Sequence, residues 1–171
     1  MASEAPGQLF LPDKSATIRA GFCLGQAILT LKLTTFLVAI SGDLGAGKTT
    51  LCQGLGEAFK APPGEVKSPT FALAHEHQGL VAFSHLDLYR LEDNPLTEFF
   101  EAGLEEFLGG LCLVEWPQRL PASFWPNPKL NLFLTQKGDG RILSGQDFGQ
   151  DARNVWALFN ETFVAGTRTC A

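Results

Sequence analysis

Apolar positions along this chain switch repeatedly between helical and strand spacing. Leu9-Phe10-Leu11 is a short apolar run ended by Pro12 and reads as an edge strand. Asp13 or Ser15 can cap a helix running to about Leu31, with Ile18, Phe22, Ala27 and Leu31 among its buried candidates. Residues 35–41 are β-rich and apolar, and the stretch from Thr49 predicts a helix that fails near Lys60, before Pro62-Pro63-Gly64. Residues 71–76 and 80–85 predict two strands around a turn at Gln78-Gly79. Asn94-Pro95 predicts a cap and a first helical position, with the helix continuing to about Leu108 and stopped by Gly109-Gly110. Residues 111–115 are apolar up to a terminal acid, as in a strand covered on both faces. Pro117, Pro121, Pro126 and Pro128 stiffen the loop that follows. Residues 130–135 and 141–144 flank Lys137-Gly138-Asp139-Gly140 as a second hairpin. Residues 151–164 predict an amphipathic helix with Val155, Leu158, Phe159 and Phe163 inward, and residues 1–8 read as disordered.

Between the strand at 35–41 and the helix from Thr49 lies G-D-L-G-A-G-K-T, which fits the phosphate-loop pattern G-x-x-x-x-G-K-[ST]. Gly42, Gly45 and Gly47 let the backbone turn its N–H groups inward around an anion, with Asp43, Leu44 and Ala46 filling the turn. The helix N-terminus at Thr49-Thr50 adds further donors. Lys48 is placed to reach β- and γ-phosphates, and Thr49 to offer its hydroxyl to Mg²⁺.

This loop and the order of elements predict an α/β fold, a P-loop NTPase-type three-layer sandwich. Its mixed sheet should have a parallel centre and antiparallel additions from the hairpins. The 171 residues predict a single domain, here residues 1–171, with 145–171 a helical segment of unassigned role. A net charge of −5 argues against a protein that grips nucleic acid alone. Cys23, Cys52, Cys112 and Cys170 form no C-x-x-C, so zinc and thioredoxin motifs have no support. The N-terminus lacks the regions of a signal peptide, and no apolar stretch approaches the ~20 residues of a membrane span. A cytoplasmic protein with no membrane contact is expected.

Phosphoryl transfer also needs a carboxylate near the phosphates. Glu115 ends the apolar run at 111–115, and Asp87 follows a less purely apolar strand; each is a candidate, against a cap or surface ion pair. Ser68-Pro69-Thr70 sits on a loop that could bring two hydroxyls to a γ-phosphate. Arg90 could touch phosphate or pair with Glu92, and Trp116 is a pocket wall, a partner anchor or a rim aromatic. His75, His77 and His85 read as structural, since H-x-H alone makes no metal site. No N-K-x-D segment of guanine-specific enzymes occurs, which favours adenine.

Four motifs in order, G-D-L-G-A-G-K-T-T, V-K-S-P-T-F, H-L-D-L-Y-R-L and L-V-E-W-P-Q, closely resemble the bacterial TsaE (formerly YjeE) ATPases over residues 41–118. L-P-D-K-S-A-T at 11–17 is also similar, and Gly140-Arg141 fits more loosely. The resemblance implies ATP or ADP on residues 42–50 and Mg²⁺ on Thr49 and Glu115. It implies that Asp87 acts beside the γ-phosphate and that Ser68, Pro69 and Thr70 form a nucleotide-sensing switch. Trp116 would belong to the functional end, and Thr17 and Arg141 would contact nucleotide. Lys48, Asp87 and Glu115 would then be the catalytic set. It further implies partnership with TsaD and TsaB in making threonylcarbamoyladenosine at adenosine 37 of tRNA, with tRNA met indirectly through the complex and ATP turnover resetting it. The alternatives are a small-molecule kinase, which the G-x-x-G-x-G-K-T loop also suits, and a nucleotide-dependent binding module without catalysis.

Overall fold

The computed structural model describes residues 7–168, so the disorder expected for 1–8 lies, for residues 1–6, outside the described residues, as does Cys170. In chain order the elements are β1 (Leu9–Leu11), α1 (Lys14–Thr30), β2 (Phe36–Gly42), α2 (Lys48–Ala58), β3 (Ala74–His77), β4 (Phe83–Asp87), α3 (Pro95–Glu101), β5 (Leu111–Glu115), β6 (Lys129–Lys137), β7 (Gly140–Phe148) and α4 (Gln150–Arg168). The strands form one sheet in the order β1-β7-β6-β2-β5-β4-β3. The central strands β6, β2, β5 and β4 run parallel, while β3, β7 and β1 join antiparallel. This is the mixed α/β sheet expected from the sequence.

Alternation along β2 sorts the layers. Phe36, Val38 and Ile40 pack with buried residues of α1, α2 and α4. Leu37 points the other way, into a second core holding Leu86, Leu91, Phe99, Leu104, Val114 and Trp125. That second layer is thinner than expected. The helix starting at Pro95 ends at Glu101 instead of about Leu108, because Gly103 takes a left-handed φ of 67°. A 3₁₀ segment, Leu104–Gly109, replaces its second half and still delivers Leu104 to the core.

The buried face of α1 also differs from the large apolar positions anticipated. Ala27 is buried, Ile18 and Leu31 are half-buried, and Phe22 is 37% exposed. The helix instead buries Ala16, Ala20, Gly21, Leu24, Gly25 and Ile28. Gly21 and Gly25 lie against α2, and Gly54 of α2 lies against α1. A Cβ at Gly21 would run into the Leu51 carbonyl oxygen, and one at Gly54 into that of Ile18. Two helix backbones therefore touch with no side chain between them.

The first hairpin is present but shifted toward the C-terminus. Leu73 has φ of 65° and Phe71 is 91% exposed, so β3 begins only at Ala74. The second hairpin is longer than its apolar core, since polar positions such as Gln136 and Lys137 continue the ladder. Helix α4 buries Val155, Phe159 and Phe163 as expected, and Trp156 as well, with Leu158 half-buried.

Candidate functional site

The carboxyl ends of the parallel strands converge on one cleft, where ligands sit in open α/β sheets. β2 ends at Gly42, whose φ of 152° and approach to Leu134 of β6 leave no room for a Cβ. The loop then passes to Gly47, at φ of 101°, which serves as N-cap of α2. The free N–H groups of the first turn of α2 face the cleft end, a setting for phosphate. The cleft holds about 410 Å³ and is lined by Leu44, Gly45, Gly47, Lys48, Thr49 and Thr50 on one wall. Ser68, Thr70, Asp87, Tyr89, Glu115 and Trp116 form the other. Two larger concavities, of about 630 and 670 Å³, lie beyond the end of α2 and beside β6, and neither brings two buried carboxylates together.

Lys48 is 4% exposed. Its Nζ donates to the carbonyl oxygens of Gly42 and Asp43, each at 2.8 Å, and lies 4.0 Å from the Trp116 ring centroid. Burial lowers its pKa, and the charges of Glu115, Asp87 and Asp43 oppose that shift. Trp116 reaches this position from a left-handed backbone, φ 60°, and packs on Tyr89 at 5.0 Å between centroids.

Glu115 ends β5 and is 2% exposed. Thr49 Oγ1 lies 2.8 and 3.0 Å from its two carboxylate oxygens. Two adjacent oxygens of an octahedral Mg²⁺, with bonds of about 2.0–2.1 Å, stand about 2.9 Å apart, so this hydroxyl–carboxylate pair fits the ion. His85 Nε2 lies 2.9 Å from Glu115 Oε1. Cys52, one turn along α2 from Thr49, completes a group with His85 and Glu115 whose ligand-capable atoms lie within 4.8 Å of one another. Burial, with the nearby carboxylates, pushes the Cys52 thiol well up, whereas Mg²⁺ takes oxygen ligands. The hard oxygen pair is therefore the better metal candidate.

Asp87 is the register partner of Glu115 on the neighbouring strand. Its Oδ2 accepts from Ser68 Oγ and from Thr70 Oγ1, the latter at 2.9 Å, and its Oδ1 accepts from the Tyr89 N–H at 3.0 Å. The Ser68-Pro69-Thr70 loop is thus held on Asp87, with Pro69 buried beneath it. Arg141, on β7, runs alongside the phosphate loop: a Cβ at Gly47 would stand 3.4 Å from its Nε. Thr17 is fully buried and accepts from Arg141 Nη1 at 2.8 Å, so it supports the guanidinium from behind. Arg90 lies outside the cleft over Phe71, 5.2 Å from its ring centroid, and makes no ion pair with Glu92 among the described residues.

Tyr89 lines the cleft and His85 is buried against Glu115; pattern reading gave Tyr89 no role and took His85 as structural. The signal was available for His85: at two residues before Asp87 on one strand, it shares the acid's face.

A family model described as "Threonylcarbamoyl adenosine biosynthesis protein TsaE" matches residues 11–143. A tRNA threonylcarbamoyladenosine biosynthesis protein TsaE from Nostoc sp. is 36% identical over 78% of this chain and 80% of its own length. Its counterpart from Haemophilus influenzae is 33% identical over 85% of each chain. The one from Synechocystis sp. is 42% identical over 67% of this chain and 72% of its own. The crystal structure of Bacillus subtilis YdiB superposes over 97% of this chain and 99% of its own, with a TM-score of 0.66 at 23% identity, a likeness of fold. Matched across most of its length by both model and relatives, this chain belongs to the TsaE family of threonylcarbamoyladenosine biosynthesis proteins.

Proposed function

We propose that this chain is a Mg²⁺-dependent ATPase, slow alone, that serves threonylcarbamoyladenosine synthesis on tRNA in the cytoplasm together with TsaD and TsaB. The observation that carries the reading is the pairing of Thr49, at the head of α2, with the buried carboxylate of Glu115, beside a phosphate loop whose lysine is within reach. Thr49 and Glu115 would hold Mg²⁺, which would supply positive charge against the charge that develops on the phosphate.

The chain's own groups do the rest. The loop N–H groups and the start of α2 hold the phosphates. Lys48 leaves the carbonyls of Gly42 and Asp43, and the face of Trp116, to pair with phosphate oxygens. Arg141, braced by Thr17, flanks the same loop at Gly47. Asp87 has one oxygen fixed by the Tyr89 N–H and the other occupied by the hydroxyls of Ser68 and Thr70. A γ-phosphate competes for those hydroxyls. Their move to the phosphate frees Asp87 Oδ2 to orient the attacking water, and it re-anchors the 66–71 loop on the γ-phosphate until hydrolysis releases it as a signal of nucleotide state. Phe71, 91% exposed next to Thr70, and Leu44, 74% exposed on the opposite wall, give a partner apolar surface on both sides of the cleft.

The test is ATP turnover with and without TsaD–TsaB, alongside tRNA nucleoside analysis of a deletion strain. Partner-stimulated hydrolysis and loss of the modified nucleoside are expected. Partner-independent transfer of phosphate to a small acceptor would instead favour a kinase.

A further inference from the structure

We propose that His85 is a positioning residue that fixes the carboxylate of Glu115 for metal binding; this rests on the assignment of Mg²⁺ to Thr49 and Glu115. His85 is fully buried on β4, and Nε2 makes its one hydrogen bond to a protein group, 2.9 Å from Glu115 Oε1. Its Nδ1 is also buried and has no hydrogen-bond partner among the described residues. A buried imidazole kept for packing alone would sit more cheaply as an apolar side chain, because an unmet buried ring nitrogen loses its hydration without return. The ring is oriented by the one bond it does make.

That bond meets a carboxylate already engaged from another side. Thr49 spans both oxygens from α2. His85 is the donor that comes from the sheet, on the strand next to β5. Donors from two layers stop the carboxylate from rotating and hold one edge toward the Thr49 hydroxyl. Ligands braced in this way bind metal more tightly, and loss of the brace typically weakens affinity about 10- to 100-fold. Period-2 spacing links the parts: His85 and Asp87 share one face of β4, so one strand supplies both the brace for Glu115 and the acid beside it.

The experiment measures binding, not turnover. ADP affinity is titrated against Mg²⁺, and again in EDTA, for wild type, His85→Phe, His85→Gln and His85→Asn. The Gln amide N–H reaches near the Nε2 position, whereas Asn is too short. His85→Phe and His85→Asn should raise the half-saturating Mg²⁺ about tenfold or more. Their ADP affinity in EDTA should stay within about twofold, and His85→Gln should recover most of the Mg²⁺ response. The metal-free protein adds a second readout: the imidazole Nε2–H of His85 should give a slowly exchanging, hydrogen-bonded NMR signal that Glu115→Ala abolishes. An unaltered Mg²⁺ response in folded His85→Phe, or equal behaviour of Gln and Asn, overturns the proposal. A wild type with no Mg²⁺ effect at all removes the metal assignment itself and this inference with it.

Discussion

Asp87 and Glu115 stand side by side as register partners at the carboxyl ends of β4 and β5, 4% and 2% exposed. Adjacent strands lie about 4.8 Å apart, so two carboxylates are held close together in a poorly hydrated cleft. Lys48 is the buried cation nearby, and it is occupied with backbone carbonyls and Trp116. The divalent ion proposed for this site would supply the positive charge that the pair of carboxylates calls for.

Lys48→Ala should abolish productive ATP binding. Each hydrogen bond to a charged group contributes about 1.5–3 kcal/mol, so the affinity should fall roughly tenfold or more. Calorimetric titration with ATP·Mg²⁺ measures it, with a thermal melt to show that the variant folds. Unchanged affinity would remove Lys48 from phosphate binding.

Glu115→Ala should damage Mg²⁺-dependent hydrolysis far more than folding. The change leaves His85 and Thr49 without their acceptor, so a modest loss of stability accompanies it. Partner-stimulated ATPase rates set beside melting curves decide the matter. A variant that melts much lower yet hydrolyses normally would mark Glu115 as structural.

The 66–71 loop should change its hydrogen-exchange protection between empty, ADP and ATP states. In the structure Asp87 holds both loop hydroxyls, and Asp87→Asn should reduce protection of the empty form. Equal protection in all three states would refute the switch.

Gly54→Ala should lower the melting temperature, although alanine is the better helix former by about 0.8–1.0 kcal/mol. The new methyl meets the Ile18 carbonyl, and overpacking costs about 1–3 kcal/mol even where side chains can yield. Gly166→Ala, where a Cβ meets nothing within 4 Å, should leave stability level or improved. Two alanine variants of equal stability would show that the helices can separate freely.

His77 makes stability fall in mild acid. It is 2% exposed and stacks on Phe83. Burial, with help from His85 and His75, holds its pKa below the ordinary 6.5 against the opposing pull of Glu65. The folded pKa lies below the unfolded one, so the unfolded chain takes up the proton first. Stability attributable to His77 is therefore intact above the unfolded value and declines as pH drops below it. The melting-temperature difference between His77→Phe and wild type should move in favour of the variant from about pH 7.5 to about pH 5.5. A difference independent of pH would refute this.

The sequence made the phosphate loop, the parallel centre and the acids at the strand ends legible, because glycine pattern and apolar period encode backbone geometry directly. It hid contacts that depend on what stands opposite. Gly21 and Gly54 read as weak helix positions until their helices are placed together. His85 read as a structural residue because its partner Glu115 lies 30 residues away. Spacing could not show that the Thr17 hydroxyl accepts from Arg141, which only the fold brings near. Gly103 ended α3 early because a left-handed residue cannot be told from an ordinary helical glycine by spacing alone.

The bare glycine contact between α1 and α2 locks these two helices to each other. With backbone against backbone, α2 cannot slide or roll on α1 without collision. Lys48 and Thr49 at the head of α2, and the Thr17–Arg141 pair at the head of α1, therefore travel as one piece. Under the proposed function, a change of shape on nucleotide exchange would be taken up across the cleft, by the loop carrying Ser68 and Thr70 and by the Tyr89–Trp116 stack, and a partner reading the nucleotide would touch that side.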